Sequence, residues 1–317
     1  MQIYQFPHTP AESALAATTG FFDGVHCGHA AVLSMLKRVA LAEGLPSCVV
    51  TYDPHPRIVL GKDSGLRLLC SNEEKQRLLA AHGIGYLVVI PFTQTLADMQ
   101  PDRFFEEYLV KALRVKALTV GFDHNIGKNA LGDFEKILQL GQKHHVPVHQ
   151  VHPYAQNTVT VSATKIRSAL QDGHIATANN MLGYPYPISG LVCKGMSIGR
   201  TIGYPTANIR LAFSRKMLPK DGAYAVRVRL DGALYNGMLN IGTRSIFGHP
   251  EALCIEVHIF DFSQDIYGRS ITVDLIDRLR DVKKIGSADE LKKLLEKDEV
   301  KARKMLCDYC SGAGIAP

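Results

Sequence analysis

Short apolar runs and helical patterns alternate through the first half of the chain. Residues 14–19 read as a strand, and 30–42 as a helix with Val32, Leu33, Leu36 and Val39 on one face. Residues 47–52 read as a second strand, and the proline-rich stretch 53–67 as a loop. Ser71 followed by Glu74 predicts a capping box that opens a helix to residue 82. Strands are expected at 86–90, 117–120 and 146–151, with helices over 101–113 and up to about residue 145. Strands alternating with helices imply a parallel α/β sheet with right-handed crossovers, whose ligands bind at the carboxyl ends of the strands. Beyond L-G-Y-P-Y-P at 182–187 the pattern turns β-rich: 186–193, 223–230, 234–241, 254–260 and 271–276, with one late helix over about 288–310. Hairpin signals between these runs predict a small antiparallel β-barrel with a C-terminal helix. Two domains follow, 1–184 and 185–317.

Composition changes this picture little. Of 317 residues, 46% are hydrophobic and 21% charged, which is globular composition and excludes bulk disorder. A net charge of +6 suits an anionic substrate but not a nucleic-acid-binding tail. The longest apolar runs fall short of a membrane span, and the N-terminal segment lacks the pattern of a signal peptide. Seven scattered cysteines fit reduced thiols and a cytoplasmic chain. The single C-x-x-C at Cys307 and Cys310 has no second pair to complete a zinc site.

The segment T-T-G-F-F-D-G-V-H-C-G-H at 18–29 carries chemistry. A strand ends, Gly20 and Gly24 permit a tight turn, and a helix begins near Gly28. Its amino end offers N–H groups and positive potential to phosphate. His26 and His29, three apart, can face one ligand there and stabilise charge on a triphosphate attacked at its α-phosphorus. His149 and His152 have the same spacing without the glycine turn.

G-F-F-D-G-V-H-C-G-H resembles the H-x-G-H signature of nucleotidyltransferases, in the extended form found in the prokaryotic bifunctional riboflavin kinase/FAD synthetase family. T-Y-D-P-H-P at 51–56, V-G-F-D-H-N-I-G-K-N-A-L-G-D-F at 120–134 and V-S-A-T-K-I-R-S-A-L at 161–170 are similar to further motifs of its adenylyltransferase module, in the same order. The resemblance implies a Rossmann-like N-terminal domain. It also implies that Gly20, Phe22, Asp23 and Gly24 line the ATP phosphates with His26 and His29. Ser162 and Thr164 would offer hydroxyls to ATP, and Arg167 a guanidinium fork to the outgoing phosphates. Asp53 and Asp123 would lie on the flavin side. Read alone, 162–170 is equally a capped helix and 121–132 a surface turn. Ala163, Asn125 and Ile126 depart from the family pattern.

In the second half, K-G-M-S-I-G-R-T-I-G-Y-P-T-A-N-I spans 194–209. Gly195, Gly199 and Gly203 recur every four residues; glycines of this kind let backbone approach phosphate, although composition alone favours a glycine-rich β-turn. Thr206 and Asn208 share one face of an extended segment, and their oxygens suit Mg²⁺. This stretch resembles the glycine loop of the riboflavin kinase module. Y-N-G-M-L-N-I-G-T-R at 235–244 and C-I-E-V-H-I-F-D-F-S-Q-D-I-Y-G-R-S-I-T-V at 254–273 are similar to its next two motifs. The resemblance implies that Glu256 is the general base for the ribityl hydroxyl, and that Asn240 and Arg280 border the flavin. On sequence alone Glu256 reads equally as a solvent-facing strand residue beside His258. Ser245, Ile246, Val282 and Ile285 differ from the family pattern near the flavin end.

The resemblance implies two reactions: riboflavin and MgATP to FMN and ADP, then FMN and ATP to FAD and pyrophosphate. ATP, riboflavin and FMN are the expected partners, with neither nucleic acid nor membrane; the oligomeric state is left open. A kinase with a decayed adenylyltransferase half and a non-catalytic flavin-binding regulator are the alternative readings.

Overall fold

A computed structural model describes residues 1–11, 14–61, 65–122, 134–152, 154–156, 159–195, 199, 202–244, 252–283 and 286–313. Asp123, Asn125, Ile126, Ser245, Ile246 and Ile285 lie outside the described residues. The chain divides into two compact units, Met1–Ala163 and Thr164–Pro317.

The first unit is built on a six-stranded, wholly parallel sheet. Its strands are β1 (Gln2–Gln5), β2 (Leu15–Thr19), β3 (Ser47–Asp53), β4 (Tyr86–Pro91), β5 (Val115–Gly121) and β6 (Val148–Val151), in the order β1-β4-β3-β2-β5-β6. Successive residues pack on opposite faces. Leu15 and Ala17 join Cys48, Val50, Val88 and Leu118 in one core, where Phe105 and Leu109 cover them. Ala16, Val49, Leu87 and Ala117 join a second core on the other face. That core is closed by Leu33 and Leu36 of helix α1 (Cys27–Ala42) and Leu79 of a helix over Asn72–Ala81. Burial on both faces explains why these strands read as continuous apolar runs rather than alternating ones.

Helix α2 (Pro56–Val59) is a single turn inside the stretch expected to be loop, with its proline at the first position and the His55 side chain as its cap. Helix α3 (Asn72–Ala81) begins at the predicted capping box. Ser71 Oγ accepts from Glu74 N (3.2 Å) and Glu74 Oε2 accepts from Ser71 N (2.9 Å). After α4 (Gln94–Ala97), the helix expected over 101–113 divides. Pro101–Phe104 is α-helical (α5) and Phe105–Ala112 is π-helical, ending with Leu113 N donating to Tyr108 O at 2.9 Å. Helix α6 (Phe134–Lys143) then leads to β6. The chain moves from β2 through β3 to β4 on one side, then crosses to β5 and β6 on the other. The strand order reverses between β2 and β5, and in sheets of this kind ligands bind outside the carboxyl ends of the strands at that reversal.

A two-stranded ribbon, β7 (Ala155–Gln156) and β8 (Val159–Thr160), precedes α7 (Ala163–Asp172) and α8 (Ile175–Leu182). The second unit contains a closed barrel in the order β10-β13-β12-β11-β14-β9. Its strands are β9 (Tyr186–Cys193), β10 (Ala207–Leu211), β11 (Gly222–Leu230), β12 (Ala233–Arg244), β13 (Ala252–Ile259) and β14 (Ser270–Arg280). Helix α9 (Ala288–Ala313) packs Ala302 and Leu306 against Ala223, Ala225, Met238, Ile276 and Leu279. Helix α8 is bound to the barrel by Asn179. Its side chain donates to Leu275 O (2.8 Å) and Ile276 O (3.4 Å) and accepts from Tyr186 N (2.8 Å). The structural division thus falls at the first residue of α7, whereas the division expected at 184/185 follows α7 and α8.

Candidate active sites

In the first unit, β2 ends at Thr19 and the chain turns sharply into α1. Phe22, Gly24 and Val25 all take positive φ (55°, 73° and 38°) around a single 3₁₀ turn, Asp23–Val25. Left-handed backbone at two non-glycine residues is strained, and such strain persists where the surroundings over-determine it. Asp23 supplies that determination. Its buried carboxylate accepts from Leu69 N (2.9 Å) and Cys70 N (3.2 Å), while Gly24 N donates to Cys70 Sγ (3.0 Å). The turn is thereby pinned to the segment before α3.

The turn delivers His26 to the N-cap of α1, where its Nδ1 accepts from His29 N at 3.4 Å. An accepting Nδ1 carries no proton, so the neutral ring holds its hydrogen on Nε2. His29, one turn on, stacks against His26 with ring centroids 3.7 Å apart, and Phe22 lies 4.9 Å from the His29 ring. His29 Nδ1 is buried with no hydrogen-bond partner among the described residues. Burial, then the neighbouring His26 and Lys75, hold the His29 imidazole well below the ordinary histidine range. Phe21 donates no side-chain bond but its ring meets His55 at 4.1 Å, and Thr51 Oγ1 donates to its carbonyl (3.3 Å). Asp53, exposed at the end of β3, completes this rim.

The structure therefore brings Gly20, Phe22, Asp23, Gly24, His26 and His29 together at the amino end of α1. Ser162 lies just before α7; Thr164 and Arg167 stand within α7, the first helix of the second unit.

In the second unit, the barrel's register gathers residues far apart in sequence. Asn208 on β10 is paired with Glu256 on β13, Glu256 with Asn240 on β12, Asn240 with Ala223 on β11, and Ala223 with Arg280 on β14. Directly opposed residues share a face of a sheet. Asn208, Glu256, Asn240 and Arg280 thus form one row across the barrel wall. Cys254 Sγ donates to Asn208 Oδ1 at 3.7 Å, on that same face. The glycine segment closes onto this row: a Cβ on Gly195 would overlap the Asn208 carboxamide, and one on Gly199 would overlap the Tyr204 carbonyl. Gly203 takes φ 87° in the turn that follows.

Two supports of this row were given no role by the sequence reading. His258, two residues beyond Glu256, donates Nδ1–H to Pro205 O at 2.8 Å and fixes the segment that carries Thr206. Tyr204 beneath it donates to Glu299 Oε2 (3.1 Å); burial and this carboxylate raise the phenol to about 12, so it stays protonated. Arg280 is gripped by the buried Asp298 of α9, with Nε at 3.0 and 2.8 Å from the two carboxylate oxygens and a terminal nitrogen at 2.7 Å. The sequence signals were a histidine two positions from the candidate base and an aspartate on a helix flank, and neither is specific.

Thr206 and Asn208 present neutral hard oxygens, the donor chemistry of a divalent cation whose charge is balanced by phosphate.

Comparison with known proteins follows the same division. A family model described as FAD synthetase matches residues 8–165, and one described as riboflavin kinase matches 182–306. Three curated relatives are described as bifunctional riboflavin kinase/FMN adenylyltransferase. That of Listeria monocytogenes is 38% identical over 90% of each chain, that of Bacillus subtilis 37% over 92% of each, and that of Escherichia coli 37% over 95% of each. A solved structure from Streptococcus pneumoniae, described as a macrolide-efflux protein, superposes with a TM-score of 0.83 at 32% identity. It covers 93% of this chain and 98% of its own. Among the described residues no helix is long and apolar enough to cross a membrane.

Proposed function

The chain belongs to the bifunctional riboflavin kinase/FMN adenylyltransferase family, and from that membership we propose which residues carry each of its two reactions. It phosphorylates riboflavin with ATP to give FMN, and adenylylates FMN with a second ATP to give FAD and pyrophosphate. ATP as co-substrate places the work in the cell interior.

We assign the kinase step to the barrel, with 1–184 and 185–317 as the functional domains. Glu256 accepts the proton of the ribityl 5′-hydroxyl as its oxygen attacks the γ-phosphorus and the bond to ADP breaks. A positioned base of this kind typically contributes about 10²–10⁴ in rate. Asn240 and Arg280 border the flavin, and Gly195, Gly199 and Gly203 let backbone approach the phosphates. Thr206 and Asn208 would hold Mg²⁺, which when bound screens the phosphate charge. The observation that carries this reading is the single row of Asn208, Glu256, Asn240 and Arg280 across the barrel wall.

We assign adenylyl transfer to the amino end of α1. A phosphate oxygen of FMN attacks the α-phosphorus of ATP, and pyrophosphate leaves with the electrons of the broken bond. The His26 Nε2–H and the His29 imidazole meet the charge that grows on the phosphates. Gly20, Phe22, Asp23 and Gly24 shape the turn. The assignment of Ser162, Thr164 and Arg167 to ATP, and of Asp53 and Asp123 to the flavin, rests on motif similarity.

The test is a pair of substitutions in the full chain. Glu256→Gln should abolish FMN formation and leave FAD synthesis from added FMN intact; His29→Ala should do the reverse. Equal loss of both activities in either folded variant would refute the two-site assignment.

A further inference from the structure

Lys75 breaks three local rules at once. It is 2% exposed, yet its Nζ has no hydrogen-bond partner among the described residues. Burying an ammonium in that state is strongly unfavourable unless its charge is met. It sits in the first turns of α3, at the end of the helix where the dipole disfavours a cation. Local violations without a structural return mark functional positions.

Its surroundings say which function. Nζ lies 3.8 Å above the centre of the Phe21 ring, within the segment that turns β2 into α1. The ionisable groups acting on it are Cys70, Asp23 and Asp53, and its own charge acts on His29. Among these groups the buried Asp23 carboxylate accepts from the Leu69 and Cys70 amides. Burial lowers the amine from its ordinary value, and the Cys70, Asp23 and Asp53 charges offset that only in part. The Phe21 ring supplies a cation–π contact but no acceptor.

We propose that Lys75 is a substrate-binding residue of the adenylylation site, its ammonium completed by a phosphate oxygen of the incoming nucleotide. The anion arrives at the amino end of α1 and gives Nζ the acceptor the protein withholds. The phosphate belongs either to the monoester of FMN or to the chain of ATP that departs as pyrophosphate. The inference rests on the placement of phosphate beside His26 and His29 proposed above.

Lys75→Met in the full chain keeps an unbranched side chain out to Cε and removes the ammonium. Pyrophosphate affinity is read by calorimetry, and the KM for FMN from FAD synthesis. One of the two should weaken at least tenfold, with riboflavin phosphorylation unchanged and the melting temperature equal or higher, because a buried unsatisfied cation has gone. Weaker pyrophosphate binding assigns Lys75 to the ATP chain, and a raised KM for FMN assigns it to the flavin phosphate. Both constants unchanged in Lys75→Met, while His29→Ala weakens pyrophosphate binding, would overturn this inference alone. No effect from either variant would overturn the phosphate site itself. Should Lys75→Met not fold, the wild-type protein decides. The ¹³Cε resonance of Lys75 must shift on adding pyrophosphate or FMN, and a resonance indifferent to both removes the proposal.

Discussion

Asp298→Ala tests whether Arg280 is held for flavin by the C-terminal helix. The pair is largely buried: the Arg280 side chain is 17% exposed and Asp298 7%, with contacts of 2.7 to 3.0 Å. Removing one partner of a buried pair leaves an uncompensated charge and costs roughly 3–5 kcal/mol. Arg280 keeps a bond to the Asp281 carbonyl at 3.0 Å, which favours the low end, about 3 kcal/mol. At roughly 2–4 °C per kcal/mol for a unit of this size, the riboflavin-protected transition should fall by about 6–12 °C. The guanidinium also loses its fixed orientation, so the KM for riboflavin should rise while the KM for ATP holds. Arg280→Met combined with Asp298→Leu separates the two effects. An apolar replacement of both partners is often neutral for stability, so the melt should recover and the riboflavin KM should not. A variant Asp298→Ala that melts within 1–2 °C of wild type, or a double variant with normal riboflavin affinity, would refute the reasoning.

Two further outcomes follow from named contacts. Burial keeps His29 neutral in the folded protein, beside His26 and Lys75, while the unfolded chain protonates it near pH 6.5. The unfolded state then binds more protons, so the first unit loses stability as pH falls from about 7 to 5. His29→Gln should flatten that slope in melts across this range, and equal slopes would show that His29 is not the group responsible. A fragment of residues 164–317 should melt cooperatively and higher than 185–317, because the shorter piece loses the bonds of Asn179 and the buried Ile175, Ala178, Met181 and Leu182. Equal melting temperatures would mean that α7 and α8 add nothing to the barrel.

Local signals made much of the fold legible. The capping box at Ser71 and Glu74 fixed the start of α3, and the β-rich run expected at 186–193 coincides with β9, whose residues alternate buried and half-buried. The edge strand β1 escaped notice because Q-I-Y-Q is short, polar and exposed at three of its four positions. The π-helical stretch escaped because F-E-E-Y-L-V-K-A carries an ordinary helical pattern. The strand–glycine–helix context of His26 and His29 is local, and so was readable. The row of Asn208, Glu256, Asn240 and Arg280 is not, since it exists only once the barrel closes in register. Lys75 was hidden for another reason: in N-E-E-K-Q-R-L-L it reads as one more charge on a solvated helix face.

Closure of the barrel gives each of its six strands a neighbour on both sides, so it offers no row of bare amides and carbonyls to another molecule. The parallel sheet has two such borders among the described residues, β1 and β6. Both are only four residues long, with polar Gln2, Gln5, His149 and Gln150 along them. Short, polar borders are poor templates for strand addition. Under heating or prolonged storage, association between copies of this chain will therefore begin with loosening of the first unit, and mutations that lengthen or grease β1 or β6 will hasten it more than changes of equal size in the barrel.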